Sequence, residues 1–273
     1  MSFTYLDNAG DTRIALYFVT SENALFRINE PNPGVFIAES PKVIERALDA
    51  GYKAESILVN EELIHQEGKD LIEKIWSRGK EQFPIYVLSD AEFKKIKGFN
   101  MTGGMMALME RKRNFDSFEA IKECKRIAVL EDVENPTNVG AIFRCAAALG
   151  MDAVLITKDS ADPLYRRALR VSMGTVFSIP WAYIEKDYIG KIKQAGFKTV
   201  AMALKDDSLS LEDKCLKEEA KLAVLMGNEG NGLKDDTISR SDYTVMIPME
   251  HGVDSLNVAG AASIAFWELG RRK

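Results

Sequence analysis

Apolar residues recur along this chain in short runs separated by stretches with helical spacing. Val35–Ala38 predicts a strand, and Pro41 suits the first turn of the helix after it, where its missing N–H costs nothing. That helix gathers Val43, Ile44, Ala47 and Leu48 on one face and ends near Gly51. Ile57–Val59, Ile85–Leu88 and Met105–Met109 are further strand candidates, with a helical stretch over Glu61–Trp76. Residues 1–33 are weakly periodic and are expected to form an irregular lead-in. The result is a small N-terminal α/β domain over residues 1–112.

Residues 111–125 are charged and weakly patterned, which sets a linker at 113–124 and a second domain at 125–273. There Ile127–Leu130 reads as a buried parallel strand, followed by a helix over Val139–Leu149 that closes at Gly150. Val154–Thr157 is the next strand. Asp162 can cap, and Pro163 can start, a helix over Leu164–Ser172. Thr199–Leu204, Ala223–Met226 and Thr244–Ile247 add three strands before a long apolar helix, Leu256–Leu269. Strands alternating with helices predict an α/β fold, a parallel sheet covered on both faces.

Composition narrows the function classes. A chain of 273 residues, 46% hydrophobic and 28% charged, can bury a core in each of two domains. No apolar run approaches the roughly 18 residues of a membrane span, and no secretory pattern opens the chain, so a cytoplasmic protein without a membrane partner is expected. Cys124, Cys145 and Cys215 are odd in number and far apart, which suits reduced thiols. His65 and His251 are the only histidines and neither stands in a Cys/His cluster, so no metal is expected. The net charge of −5 gives no general basic footprint for nucleic acid. Local clusters remain: Arg111, Lys112 and Arg113; Arg166, Arg167 and Arg170; Arg271, Arg272 and Lys273. Any one of them alone is ordinary solvated charge.

Three segments of the second domain carry candidate chemistry. Glu134-Asn135-Pro136-Thr137-Asn138-Val139-Gly140 follows a strand and opens a helix that Asn138 can cap, with Arg144 about one and a half turns in. Gly227-Asn228-Glu229-Gly230-Asn231-Gly232-Leu233 follows a strand, and its three glycines permit a sharp turn close to a ligand. Its glycine order is not that of a dinucleotide fingerprint, and the Gly-Lys-Ser/Thr of a P-loop is absent. Ile247-Pro248-Met249 and then Asp254-Ser255-Leu256-Asn257 run from a strand end into the final small-residue helix. Singly, each segment also reads as a helix cap or a structural turn.

Together, N-x-G-x-x-x-R, G-N-E-G-x-G-L and I-P-M with S-L-N resemble the SpoU (TrmH-like) RNA 2′-O-ribose methyltransferases of the SPOUT superfamily. Ala161-Asp162-Pro163 and Ser172-Met173-Gly174 are also similar, and the likeness covers residues 125–270. Phe36-Ile37-Ala38-Glu39 and Arg46-Ala47-Leu48 resemble the attached substrate-binding domain. The resemblance implies a deep trefoil knot, bound S-adenosylmethionine, a ribosomal or transfer RNA substrate and a homodimer with the site near the subunit interface. It implies cofactor contacts at Gly227, Glu229, Ile247, Met249, Leu256 and Asn257, and catalytic positions at Asn138, Arg144, Glu229, Ser255 and Asn257. Arg111, Lys112, Arg113, Arg166, Arg167 and Arg170 are the candidate RNA contacts. Two readings compete with it: a non-catalytic RNA-binding protein that keeps the knotted scaffold, and a nucleotide-dependent oxidoreductase suggested by the glycine loop.

Overall fold

The computed structural model of the chain describes residues 2–19, 21–65, 67–79, 82–95, 104–112, 119, 121–185, 187–205, 207–253 and 255–271. It divides into two compact units: Met1–Arg113 with Leu164–Phe177, and Asn114–Pro163 with Ser178–Lys273. The segment 164–177, which the periodicity grouped with the second domain, thus packs with the first unit. The linker expected at 113–124 falls largely outside the described residues.

The first unit is built on five strands: β1 (Phe3–Tyr5), β2 (Val35–Glu39), β3 (Ala54–Asn60), β4 (Ile85–Leu88) and β5 (Met105–Glu110). Their order is β1-β4-β3-β5-β2, with β5 antiparallel to both its neighbours. All five residues of β2 are buried, the apolar run Val35–Ala38 and the charged Glu39 after it. The helical stretch expected at Glu61–Trp76 is a 3-10 turn, Glu61–Ile64, and a helix, Glu67–Arg78.

The lead-in is not irregular. It holds β1, a 3-10 turn over Thr12–Phe18 and a helix over Glu22–Arg27 capped by Ser21. Ile14, Tyr17 and Leu25 are buried in the core of this unit. The Tyr17 hydroxyl donates to the Ser56 carbonyl at 2.9 Å and accepts from the Leu108 amide at 3.1 Å, stitching the lead-in to β3 and β5. Elements of three to seven residues are too short to show a period, which is why the pattern missed them.

The second unit holds seven strands: β6 (Arg126–Leu130), β7 (Ala153–Thr157), β8 (Trp181–Ile184), β9 (Lys198–Met202), β10 (Leu209–Ser210), β11 (Leu222–Met226) and β12 (Tyr243–Met246). Their order is β10-β12-β9-β11-β6-β7-β8, and every pairing is parallel. The periodicity located neither β8, a four-residue edge strand, nor β10, a two-residue one. Strand β11 lies between β9 and β6, so the carboxyl ends of β6, β9, β11 and β12 open on the same edge of the sheet. Ligand crevices of parallel sheets lie at that edge.

Helices Pro136–Ala148 and Val258–Leu269 pack on each other. No helix among the described residues is long and apolar enough to cross a membrane.

Arg126, at the start of β6, fastens the end of the last helix to the sheet. Its Nε donates to the Leu269 carbonyl at 2.9 Å, while its terminal nitrogens reach the carbonyls of Lys125 (3.0 Å), Ala220 (3.1 Å) and Glu219 (2.9 Å). A lysine cannot reproduce that planar fork. Arg126→Ala is expected to cost about 2 kcal/mol, because acceptors are left without donors, with Arg126→Lys recovering little of it. Urea unfolding of the two variants against wild type measures both.

Candidate functional site

The glycine loop leaves β11 at Met226 and folds back on itself. Asn228 and Gly232 exchange backbone hydrogen bonds, each at 3.0 Å. A Cβ on Gly227 would fall 2.3 Å from backbone atoms of Gly232 and Leu233, so the returning chain leaves room only for glycine. Gly232 has φ +67°, a backbone conformation that other residues resist. Inside the turn, the Asn228 side-chain oxygen accepts from the amides of Gly230 (2.8 Å) and Asn231 (3.1 Å).

Glu229, at the turn's tip, ties the three sequence segments together. Its carboxylate accepts from the amides of Glu134 (3.2 Å) and Asn135 (3.1 Å) and from Asn138 Nδ2 (2.8 Å). Asn138 Oδ1 in turn accepts from Asn257 Nδ2 at 3.2 Å. Asn257 Oδ1 takes the Ala259 amide at 2.9 Å and so caps the last helix. Partial burial opposes the charge on Glu229, but the bonds from Asn138 and from the amides of Glu229, Asn135 and Glu134 outweigh it. Its carboxyl is held below the ordinary glutamate range.

Asn138 is therefore not the helix cap that its position suggested. Asn135 caps, accepting from the Thr137 amide at 2.8 Å, and Pro136 is the first helical residue. This frees the buried Asn138 side chain, inside the first turn, for the hydrogen bond to Glu229. Asp162 does not cap the helix Arg166–Val171 either: Tyr165 is its N-cap, and Asp162 accepts from the Tyr183 hydroxyl at 2.6 Å.

A cavity of about 500 Å³ opens at the carboxyl ends of β9, β11 and β12 and reaches the start of the last helix. Gly227, Glu229, Ile247, Met249, Leu256 and Asn257 all border it, as does the exposed Ser255. Leu204, Leu233, Ile238 and Val258 add apolar wall. Apolar walls with a few fixed polar groups, at this size, suit a small molecule that has both apolar and polar parts. A glycine cradle fits the same kind of ligand, since backbone amides can approach it closely.

Arg144 is exposed on the helix Pro136–Ala148 and is not among the residues bordering the cavity. Asp254 lies outside the described residues. So do Arg113, Arg272 and Lys273. In the first unit, the Arg111 guanidinium lies 4.6 Å from the Phe26 ring centre and its Nε donates to the Val35 carbonyl at 3.2 Å. Lys112 donates to the Ala50 carbonyl at 2.5 Å and lies 4.4 Å from the Tyr52 ring centre. Arg167 is exposed and Arg170 half-buried.

Arg166, expected from the sequence to contact RNA, is buried instead. It is 7% exposed, and its Nε meets the equally buried Glu39 at 2.7 Å. A guanidinium committed to a buried carboxylate is not offered to phosphate.

Two acids escaped the motif reading. Glu131 and Asp132 follow β6 directly; Glu131 accepts from the Lys234 amide just after the glycine loop, and the Asp132 carbonyl accepts from Asn228 within it. An acidic pair at the end of a strand buried on both faces was the available signal. No group of histidine, cysteine, aspartate and glutamate able to hold a metal occurs among the described residues.

Residues 125–267 match the SpoU rRNA Methylase family. The chain is 37% identical over 191 residues, 69% of its length, to a protein of Mycobacterium tuberculosis named as an uncharacterized tRNA/rRNA methyltransferase. It spans 66% of that relative's length. It is 26% identical over 235 residues to the 23S rRNA (guanosine(2553)-2′-O)-methyltransferase RlmP of Bacillus subtilis, covering 86% of this chain and 88% of the relative. The AdoMet-bound rRNA methyltransferase from Sinorhizobium meliloti superposes with a TM-score of 0.81 at 23% identity, over 98% of this chain and 97% of that one.

The Glu229 bonds carry a pH signature. Because the folded carboxyl sits below its ordinary value, the stability it contributes is complete above the unfolded-chain pKa and fades as pH falls through the folded one. Glu229→Gln should therefore melt below wild type near neutral pH, with the gap closing in acid beneath the ordinary glutamate range. Scanning calorimetry across pH tests this, and a gap independent of pH would contradict it.

Proposed function

The chain belongs to the SpoU rRNA methylase family, and from that premise we propose that it methylates a ribose 2′-hydroxyl of RNA with S-adenosylmethionine as donor. One observation carries the reading: the glycine turn, the Ile247–Met249 stretch and the Ser255–Asn257 step border a single cavity, joined through Glu229, Asn138 and Asn257. A scaffold that merely binds RNA has no use for that line of polar side chains. The Bacillus subtilis relative is named for a 2′-O position and the Sinorhizobium meliloti structure for bound AdoMet, which supports the same chemistry.

Because the donor's sulfonium carries an activated methyl group and would leave as a neutral thioether, the protein's task is to align the acceptor oxygen and stabilise the charge that forms as its proton passes to solvent water. Gly227, Ile247 and Leu256 bring backbone and apolar surface to the donor's place. Glu229 and Asn257 fix the loops around it, and the exposed Ser255 stands at the cavity edge to meet the acceptor. Arg144 is assigned to the phosphate beside the target ribose and to the developing alkoxide, since a guanidinium stays protonated and makes a poor base. The parallel order that lays β11 between β9 and β6 supports a knotted path for this unit.

Arg144 reaches the cavity from a second copy of the chain in this proposal. Helix Val258–Leu269, which packs beside the helix carrying Arg144, leaves Ile264 and Trp267 exposed at 41% and 59%, an apolar face suited to a symmetric dimer. Arg111 and Lys112 remain RNA contacts of the first unit, together with Arg167 and Arg170.

Two measurements test this. After incubation with labelled donor and total RNA, the label should survive alkaline hydrolysis within a dinucleotide, because a 2′-O-methyl group removes the nucleophile that cleaves the next phosphodiester. Label on a free mononucleotide would mean base methylation and end the ribose assignment. Second, Arg144→Ala and Asn257→Ala should each be inactive alone, yet regain about a quarter of wild-type activity once mixed and allowed to exchange subunits, as random pairing leaves one complete site in half the dimers. No recovery would place Arg144 and Asn257 of one chain in the same site.

A further inference from the structure

We infer that Glu131 is a positioning residue for the methyl donor: a buried carboxylate that holds the exit of the glycine loop and so sets donor affinity. The inference rests on the donor cavity proposed above. Glu131 is the first residue after β6 and is 2% exposed. Burying a carboxylate is costly unless every oxygen finds donors. Here each does. Oε1 accepts from the Lys234 backbone amide at 2.9 Å, and Oε2 accepts from the hydroxyls of Tyr188 and Thr237, each at 2.6 Å. Burial, and then the bond to Glu131, hold the Tyr188 phenol far above its ordinary range, so it remains a donor at any working pH.

The contacts bracket the loop. The Glu131 amide donates to the Met226 carbonyl at 2.9 Å, immediately before Gly227, while its carboxylate grips Lys234, immediately after Leu233. Thr237, its other loop-side partner, precedes Ile238, and Leu233 and Ile238 both border the cavity. The neighbouring Asp132 completes the frame. It adopts φ +55°, its carbonyl accepts from Asn228 Nδ2 at 2.8 Å, and its carboxylate pairs with Lys234 Nζ at 2.6 Å. Glu131 and Asp132 thus hold the loop's entry and exit between them, both from the end of the strand paired with β11.

A plain core position would accept an apolar residue of similar volume at little cost. Glu131 differs because its partners include the backbone amide that sets where Leu233 ends. Glutamine can keep that bond: its oxygen takes the Lys234 amide, and its NH2 faces two hydroxyls free to turn and accept. Leucine cannot.

Calorimetric titration of S-adenosylmethionine into wild type, Glu131→Gln and Glu131→Leu, with turnover on total RNA at saturating donor, decides the matter. Glu131→Leu should raise the donor Kd and KM about ten-fold, with kcat at saturation within about three-fold of wild type and Glu131→Gln close to wild type. Should the leucine variant not fold, Thr237→Val, which removes one donor from Oε2, should raise Kd about three-fold. A melting temperature that falls while donor Kd stays unchanged would show Glu131 to be structural only and overturn the inference. A loss of kcat at constant Kd would overturn it too. Wild type that binds no donor would instead sink the cavity assignment itself, which separates the two failures.

Discussion

The hydrogen bond from Asn138 to Glu229 joins two parts of the chain that lie 91 residues apart, and the rest of the site is arranged around it. Glu229 sits on a turn made almost wholly of backbone, which by itself has no reason to point anywhere. Its carboxylate accepts the amides of Glu134 and Asn135, just ahead of the helix that begins at Pro136, where the positive end of the helix favours negative charge. Asn138 carries the connection onward to Asn257, which caps the last helix. Three loops at three strand ends are thereby held in register without a single large side chain. Fixed loops are what transfer chemistry needs, since catalysis by alignment is lost when the aligning groups drift.

That line works only because the sheet is ordered as it is. Inserting β11 between β6 and β9 puts the glycine turn next to the segment 131–138 on one side and to Met202–Lys205 on the other. The turn can then be pinned through its tip by Glu229 and through its ends by Glu131 and Asp132, while its open side borders the cavity. The glycines permit the conformation. The surrounding acids and asparagines select it. A flexible glycine loop in isolation would lose much of its binding energy to ordering, and prior anchoring removes that cost.

The sequence and the structure agree best where apolar runs are long. Val35–Ala38, Ile85–Leu88 and Met105–Met109 in the first unit, and Ile127–Leu130, Val154–Thr157 and Ala223–Met226 in the second, lie at strands to within a residue or two. Strands buried on both faces must be continuously apolar, so they show in composition alone. The misses were short or amphipathic: β1, the Thr12–Phe18 turn, the edge strand β8 and the two-residue β10. In these, burial comes from neighbours rather than from a local period, as with Tyr17, whose hydroxyl bonds reach β3 and β5. The motif residues were legible because chemistry restricts residue type at fixed spacing. Glu131 and Asp132 were not, because an acid after a strand has many uses.

Order along the chain, then, already determined the α/β class, the glycine turn, the small-residue last helix and the polar residues on which a site could be built. Those are properties of local sterics and of residue chemistry, and they need no partner to be defined. Tertiary structure alone decided that Asn135 rather than Asn138 caps its helix, that Arg166 is buried against Glu39, and that segment 164–177 packs with the first unit. Each of these depends on which distant group arrives with a complementary donor or acceptor. A side chain's use is set by that arrival, and a one-dimensional pattern does not contain it.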